Sequence, residues 1–252
     1  MAIGTRSYAN PYLSNQGRLP QGIKWLIIIN TVVWLVCFFS RDIASFLLEY
    51  FALTPVRVMH GWIWQPVTYM FLHAPTSLFH VLFNMLALWM FGTDLEQTWG
   101  TRRFMQFYFF CGVGAGLVVT AAGYIAGGVN PLIPTLGSSG AIYGILLACA
   151  VLWPDRIILF MFLFPLKLKF AVAIYGAIAF LGTFNPNSGV SDVAHLSGMA
   201  FAYLFLKLPQ VRRFDPLSSA SQAYKAWKLA RAKKKFQVYL RKQRSDRGPF
   251  VN

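Results

Sequence analysis

The chain has 252 residues, of which 56% are hydrophobic and 12% are charged, and its formal net charge is +15. Soluble domains carry about 25% charged residues, so this composition excludes an ordinary soluble domain. Six membrane spans of about 20 residues each would use about half of the chain. The composition therefore predicts a polytopic membrane protein.

Most of the positive charge lies at the C-terminal end. The last 46 residues hold 13 of the 23 Lys and Arg and 2 of the 8 Asp and Glu, so they carry +11 of the +15. Lys and Arg that follow the last apolar segment are typical of a cytoplasmic tail, and no nucleic-acid partner is expected. The three cysteines all lie in apolar runs and predict no disulfide framework.

The N-terminal residues 1–24 are polar and predict a cytoplasmic leader. The apolar run Trp25–Phe39 follows, and the next residues are Ser40 and Arg41. The lack of a small-residue cleavage site there favours an uncleaved first span over a signal peptide. The segment 42–76 is rich in tryptophan and other aromatic residues, which is typical of a membrane interface.

Five further spans are predicted, at 78–95, 104–125, 139–153, 168–184 and 193–206. The fourth and sixth are short for a hydrocarbon core of about 30 Å, because a helix rises about 1.5 Å per residue. The residues that precede them must therefore be enclosed by protein or water. Ile157–Pro165 is also apolar, but its length and flanking prolines favour a connection at the membrane surface.

The Lys and Arg residues between the spans predict the orientation. If the N terminus is cytoplasmic, the outer connections hold Arg41 and Arg57. The inner connections then hold the basic tail and five further basic residues, Arg102, Arg103, Arg156, Lys167 and Lys169. This asymmetry predicts six spans with both termini in the cytoplasm, with 25–208 as the membrane domain and 209–252 as the tail.

Polar residues in or beside the spans are candidates for function, because polar groups at bilayer depth are costly. They are His80, Asn84, Asp94, Glu96, Ser138, Ser139 and His195. Ser139 lies in Gly137-Ser138-Ser139-Gly140 at the start of the fourth span, where helix N–H groups could hold the charge of an attacked carbonyl. The alternative is a serine that caps the helix beside glycines that permit close packing.

His195, near the start of the sixth span, is a candidate general base for Ser139. The alternative is a histidine bonded to a backbone carbonyl. Small residues would let the fourth and sixth spans approach closely. They are Gly140 and Gly144 on one span and Gly198 and Ala202 on the other.

His80 and Asn84 are four residues apart and share one helix face, so both could donate hydrogen bonds to one point. Their functional interpretation is an oxyanion hole completed by the Ser139 N–H, and the alternative is interhelical bonding that only holds the bundle together. Glu96 lies between Gly92 and Gly100 at four-residue spacing. It is interpreted as a structural residue that ties helix ends near the cytoplasmic face.

These motifs together resemble the rhomboid family of intramembrane serine proteases. The match covers about residues 25–208 and consists of four motifs in the family's order: His80-x-x-x-Asn84, Gly92-x-x-x-Glu96-x-x-x-Gly100, Gly137-x-Ser139-Gly140 and Ala194-His195-x-x-Gly198. The sequence departs from the family at Gln65, where an arginine is frequent, and at Ala202, where a glycine is frequent.

The resemblance implies an all-α bundle of six transmembrane helices. It implies Ser139 as the nucleophile, His195 as the base, and His80 and Asn84 as oxyanion donors. It further implies that Tyr143 packs against the His195 ring, and the i to i+4 spacing independently puts Tyr143 on the Ser139 face. Ordinary core packing is the alternative for Tyr143.

The predicted function is an intramembrane serine endopeptidase that cleaves membrane-anchored proteins near the outer side of a bacterial plasma membrane. The loop 127–137 would leave room for a cavity, and the fifth span with the loop 185–192 would act as a gate. This chemistry requires no cofactor and no metal. The alternatives are a catalytically silent protein of the same fold that binds client spans, and a small transporter.

Two further questions stay open. The four histidines, His60, His73, His80 and His195, form a weak candidate for a metal site, because no carboxylate or thiolate shares the cluster. The basic tail, with Trp227, Phe236 and Tyr239, predicts either an amphipathic helix on anionic lipid or a disordered, solvated segment.

Overall fold

The chain divides into two structural units, Met1–Leu208 and Pro209–Asn252. The computed structural model describes residues 19–125, 130–160, 163–184, 189–208, 224 and 226–233. Most of the predicted leader therefore lies outside the described residues, as do Phe236 and Tyr239 of the tail and parts of the loops 127–137 and 185–192.

The described part of the first unit is mainly helical. Its helices are α1 Gln21–Phe39, α2 Arg41–Phe51, α3 Pro55–Met59, α4 Gln65–Thr68, α5 Leu78–Ala87, α6 Thr93–Trp99, α7 Thr101–Ile125, α8 Ser139–Leu152, α9 Leu168–Gly182 and α10 Gly189–Lys207. A 3₁₀ turn, Tyr69–Phe71, follows α4, and a π-helical turn, Leu88–Gly92, joins α5 to α6.

Three of the described helices are long and apolar enough to cross a membrane: α1, the continuous helix Leu78–Trp99, and α7. Helices α8 and α9 are apolar but shorter, with 14 and 15 residues. Helix α10 has 19 residues and is longer than the predicted sixth span, because an acidic residue such as Asp192 is favourable in a first helical turn. These helices agree with the predicted helical membrane protein, whereas the count of six spans stays a prediction.

A short antiparallel hairpin lies within this mainly helical fold, in the segment for which a connection was predicted. Strand β1, Ile157–Phe160, pairs with β2, Phe164–Lys167, with Ile157 opposite Lys167. The two strands satisfy each other's backbone groups in a segment too short to form a stable helix. At the base of the hairpin, the ammonium groups of Lys167 and Lys169 lie 3.1 and 3.0 Å from Asp155 Oδ1, and they hold the pKa of that carboxyl below its usual range.

Helix α1 begins four residues before the predicted span because Glu96 caps it. The Glu96 carboxylate accepts hydrogen bonds of 2.8 Å from the N–H groups of Gly22 and Ile23, and a 2.6 Å bond from Thr101 Oγ1. The first N–H groups of a helix have no partner within the helix, and the dipole there favours an anion. This buried carboxylate therefore joins the starts of α1 and α7 through α6.

Helix α10 packs against α7, α8 and α9, and α8 packs against α7. The contact between α8 and α10 is made by small residues. A methyl group built on Gly198 would overlap the Gly140 carbonyl, and one built on Gly144 would lie 3.1 Å from the Gly198 carbonyl oxygen. The backbones of the two helices thus touch, as small residues at both positions permit.

In the second unit, the described residues 224 and 226–233 are helical and exposed. The ring of Tyr224 stacks on Trp227 with ring centres 6.0 Å apart, and the Arg231 guanidinium lies 5.4 Å from the Trp227 ring centre. The choice between a lipid-bound amphipathic helix and a solvated tail stays open.

Candidate active site

Ser139 is the first residue of α8, and Ser138 occupies the N-cap position. The Ser138 hydroxyl does not cap the helix but donates to Asn84 Oδ1 at 3.3 Å. The backbone N–H of Gly137 donates to the Tyr69 carbonyl at 3.0 Å. The sequence prediction of Ser139 at a helix N terminus therefore agrees with the structure.

Gly137 is needed at the turn before α8 for two reasons. Its φ angle is +111°, a conformation that residues with a side chain rarely adopt. A Cβ atom at this position would also lie 3.0 Å from His80 Nε2. Any side chain at residue 137 would thus strain the turn and press on the imidazole that faces it.

His195 lies on α10 with its Nε2 atom 2.9 Å from Ser139 Oγ, which is hydrogen-bond distance. The two residues are 56 positions apart in the chain, and the glycine contact between α8 and α10 brings them together. This geometry favours the functional interpretation of His195 over a histidine bonded only to a backbone carbonyl.

Tyr143, one turn after Ser139 on α8, stacks on the His195 ring. The ring centres are 4.0 Å apart and the ring planes differ by 2°. An imidazole with a hydrogen bond at its edge and a phenol ring against its face has little rotational freedom. The packing predicted for Tyr143 thus agrees with the structure, and it orients the His195 ring toward Ser139.

His80 and Asn84 lie on α5 and face the start of α8. His80 Nδ1 accepts a 3.3 Å hydrogen bond from the Ala74 N–H, which leaves the proton on Nε2, the atom that faces Gly137. Asn84 Nδ2 donates to the His80 carbonyl at 2.7 Å within its own helix. His80 Nε2 and the remaining amide hydrogen of Asn84 are therefore two side-chain donors of α5 in the cavity that Ser139 also lines.

A cavity of about 850 Å³ joins these residues. Its polar wall contains Ser139, His195, His80 and Asn84. Its remaining wall is mostly apolar or aromatic and includes Met90, Phe91, Leu146, Leu159, Phe160 and Tyr175. The cavity lining thus combines the sequence-predicted polar residues with a larger apolar surface.

The other predicted residues lie around this cavity or away from it. Gly140 and Gly198 form the helix contact beside it, and Glu96 lies at the start of α1. Asp94, a polar residue without an assigned role in the sequence, pairs with Arg156 near the hairpin. Among the described residues, no group of three or more His, Cys, Asp and Glu is arranged to hold a metal ion.

Three features of the site were missed by the sequence interpretation. The hairpin lines the cavity with Leu159 and Phe160. The buried His73 ring lies edge-on to His80, with ring centres 5.1 Å apart. Asp192 Oδ1 lies 3.9 Å from His195 Nδ1, and the three-residue spacing on a helix could have indicated this contact.

A sequence model of the rhomboid domain matches residues 60–209, which is more than half of the chain. The chain belongs to the rhomboid family. Rhomboids are a family of intramembrane proteases, and the apolar helices of this member make it an integral membrane protein.

Three relatives illustrate the range of the family. YdcA of Bacillus subtilis (strain 168) carries the name of a rhomboid protease. It is 30% identical to this chain over 196 residues, which cover 74% of this chain and 87% of YdcA. Rhomboid protease GluP of the same organism is 32% identical over 62% of this chain and 29% of GluP. RHOMBOID-like protein 1 of Arabidopsis thaliana is 33% identical over 61% of this chain and 37% of its own length.

Proposed function

We propose that this rhomboid is a serine endopeptidase that hydrolyses peptide bonds in or near the transmembrane segments of membrane-anchored proteins. The observation that carries the proposal is the 2.9 Å distance between His195 Nε2 and Ser139 Oγ beside an apolar cavity. A serine becomes a useful nucleophile when a base within hydrogen-bond reach takes its proton. Membership of a protease family supports the same reaction.

In the proposed reaction, Ser139 Oγ attacks the carbonyl carbon of the scissile bond while its proton moves to His195 Nε2. The protonated imidazole then gives this proton to the leaving amine, and the C–N bond breaks. A water molecule attacks the acyl enzyme with His195 again as the base, which releases the acid and restores Ser139. No metal or cofactor takes part in these steps.

The negative charge of the tetrahedral intermediate would be held by the Ser139 N–H, His80 Nε2–H and the Asn84 amide. The Ser139 N–H belongs to the first turn of α8, where backbone donors and the helix dipole both favour an anion. His80 and Asn84 line the same cavity as Ser139. Fixed donors of this kind stabilise a transition state more than they stabilise the substrate.

Membrane protein substrates suit the apolar part of the cavity. A substrate helix must unwind locally before cleavage, because its peptide bonds are internally hydrogen-bonded. Helix α9 supplies Tyr175 to the cavity wall and belongs to the proposed gate. The six spans, the cytoplasmic termini, the bacterial plasma membrane and the lipid-binding tail belong to this proposal as well.

The test is to treat the purified full-length protein with a fluorophosphonate probe and, separately, with a model transmembrane substrate. The wild type should be labelled and should cleave the substrate, whereas Ser139→Ala should do neither. Ser197→Ala, a matched change at a buried serine of α10, should behave as the wild type does. Equal labelling and cleavage by the wild type and Ser139→Ala would show that the pair is not catalytic.

A further inference from the structure

Ser138 is a polar residue of the glycine-serine motif that the proposed reaction does not use. It occupies the N-cap position of α8 and is fully buried, yet its hydroxyl does not cap the helix. The hydroxyl donates instead to Asn84 Oδ1 at 3.3 Å, across 54 positions of the chain. A serine at an N-cap normally accepts from a backbone N–H of the first turn, so this hydroxyl is diverted from its usual role.

The two hydrogen bonds of Asn84 fix the direction of its amide. One amide atom lies 2.7 Å from the His80 carbonyl oxygen. Because a carbonyl oxygen has no proton to give, the amide atom that faces it must be the nitrogen. The amide oxygen then faces Ser138, and the serine hydroxyl must be the donor in that bond. The two ends of one amide are thus held by two different partners.

Ser138 acts on this amide from outside the cavity. Asn84 and Ser139 both line the cavity, whereas Ser138 is not among its lining residues in the described part of the chain. Ser138 therefore does not touch a bound substrate. Any effect that it has on the reaction must pass through a group that does, and its hydroxyl contacts such a group in Asn84.

A second buried hydroxyl lies beside Ser138 without replacing this bond. Tyr108 of α7 is fully buried and interacts with the Ser138 side chain, but its hydroxyl makes no hydrogen bond of ordinary geometry to a described residue. A serine hydroxyl has one proton and two lone pairs. It can therefore give its proton to Asn84 while a lone pair stays directed at a neighbouring hydroxyl.

The direction of the Asn84 amide matters for an oxyanion donor. The terminal torsion of asparagine has a broad, roughly twofold preference, so an amide without a partner for its oxygen turns easily. A turned amide would present its oxygen, and not an N–H group, to a developing negative charge. A hydrogen bond to the amide oxygen prevents this rotation, and it also polarises the amide so that its N–H groups become stronger donors.

We propose that Ser138 is a positioning residue that holds the Asn84 amide with an N–H group toward the oxyanion formed on the substrate carbonyl. This inference rests on the proposed function. No bond is made or broken at Ser138, whose proton stays on Oγ, and the proton transfers belong to Ser139 and His195. The two adjacent serines then have separate roles, one as the nucleophile and one in orienting a donor.

The experiment compares kcat and KM of the full-length wild type, Ser138→Ala, Ser138→Cys and Ser138→Thr for the model transmembrane substrate. Ser138→Ala and Ser138→Cys should lower kcat by roughly fivefold to fiftyfold with KM within about twofold, because an oriented donor acts mainly on the transition state. Cysteine is similar to serine in shape but is a weak donor, so Ser138→Cys decides the matter if Ser138→Ala fails to fold. Ser138→Thr keeps the hydroxyl and should retain more kcat than Ser138→Cys.

A double variant tests whether Ser138 acts through Asn84. The kcat of Ser138→Ala/Asn84→Ala should lie within about twofold of that of Asn84→Ala alone, because the group that Ser138 orients is already absent. A purely structural contribution of Ser138 would instead multiply with the loss from Asn84→Ala. Ser197→Ala, the matched change at a buried serine of α10, should keep the wild-type kcat.

The outcomes also separate this inference from the proposed function. If Ser139→Ala abolishes labelling while Ser138→Ala and Ser138→Cys keep the wild-type kcat, the role of Ser138 is wrong and the Ser139 assignment stands. Losses that multiply in the double variant, or a fall in thermal stability without a change in kcat, would likewise overturn the positioning role. If Ser139→Ala retains labelling, the proposed function itself fails.

Discussion

At the residue scale, the orientation of His195 depends on two neighbours on two sides of one ring. Ser139 lies at one nitrogen and Tyr143 against the face. Each neighbour restricts a different motion of the imidazole. In the proposed reaction the imidazole would therefore need little reorientation before proton transfer, which would lower the entropic cost of reaching the transition state.

The stacked ring of Tyr143 gives the first prediction. Tyr143→Ala should lower kcat by roughly tenfold to a hundredfold, because a poorly held imidazole spends less time aligned with Ser139. Tyr143→Phe keeps an aromatic face and should lose much less. The measurement is kcat for the model substrate together with the rate of fluorophosphonate labelling. Equal losses in both variants would assign the effect to the hydroxyl and not to the stack.

The donors on α5 give the second prediction. His80→Ala and Asn84→Ala should each lower turnover by roughly tenfold to a thousandfold, because each removes a donor to the developing oxyanion. Thermal unfolding in detergent should show that both variants stay folded. If turnover is unchanged in both, the two residues serve packing only, as their alternative interpretation states.

At the element scale, the active-site geometry depends on how closely α8 and α10 approach. The Gly198 backbone lies against the Gly140 carbonyl, and one helical turn further along, Gly144 faces the Gly198 carbonyl. Neither contact leaves room for a side chain. The distance between Ser139 and His195 is thus a consequence of absent side chains on two helices.

This contact gives the third prediction. Gly198→Ala should destabilise the protein by about 1–3 kcal/mol or more, because the added methyl group must push α8 away from α10. Gly176→Ala is the matched control, since its methyl group would meet only the flexible Met199 side chain at 3.4 Å. Thermal unfolding in detergent would measure both. Equal stability of the two variants would contradict the close contact.

The cap on α1 gives the fourth prediction. Glu96→Ala should lower the free energy of unfolding by about 1–3 kcal/mol, because it leaves buried N–H groups of Gly22 and Ile23 without their acceptor. Glu49→Ala, at a carboxylate that is 57% exposed, should change stability far less. Labelling of Ser139 in the folded fraction of Glu96→Ala should persist, because Glu96 is not among the cavity-lining residues.

At the scale of the whole molecule, the charge distribution and the apolar helices act together. The basic residues lie mainly after the last apolar helix, and the membrane body before them is almost neutral. Lys and Arg tend to be retained on the cytoplasmic side during insertion, so this asymmetry is the basis of the proposed orientation. In the proposed orientation, the start of α8, and hence Ser139, would lie toward the outer side.

The orientation gives the fifth prediction. In a bacterial host, alkaline phosphatase fused after His60 should be active, because the enzyme folds only outside the plasma membrane. Fusions after Asp155 and Asn252 should be inactive. Green fluorescent protein at the same three positions serves as the control and should give the reverse pattern. Phosphatase activity at Asn252 would contradict a cytoplasmic C terminus and an even number of spans.

Features that depend on local composition and spacing could be predicted from the sequence. The membrane class follows from hydropathy, and the position of Ser139 follows from the glycine turn before an apolar run. The shared face of Ser139 and Tyr143 follows from the helical repeat. The family motifs named the principal polar residues, because each motif lies within a few positions of the chain.

Features that depend on residues far apart in the chain became visible in the folded structure. Glu96 extends α1 from a helix more than 70 positions away, the hairpin forms part of the cavity wall, and Gly182 makes space for Asp192. No periodic pattern of residues along the chain indicates these contacts. They depend on which side chains are absent or enclosed where the helices pack. The packing of the helices is a property of the whole fold and not of a single segment.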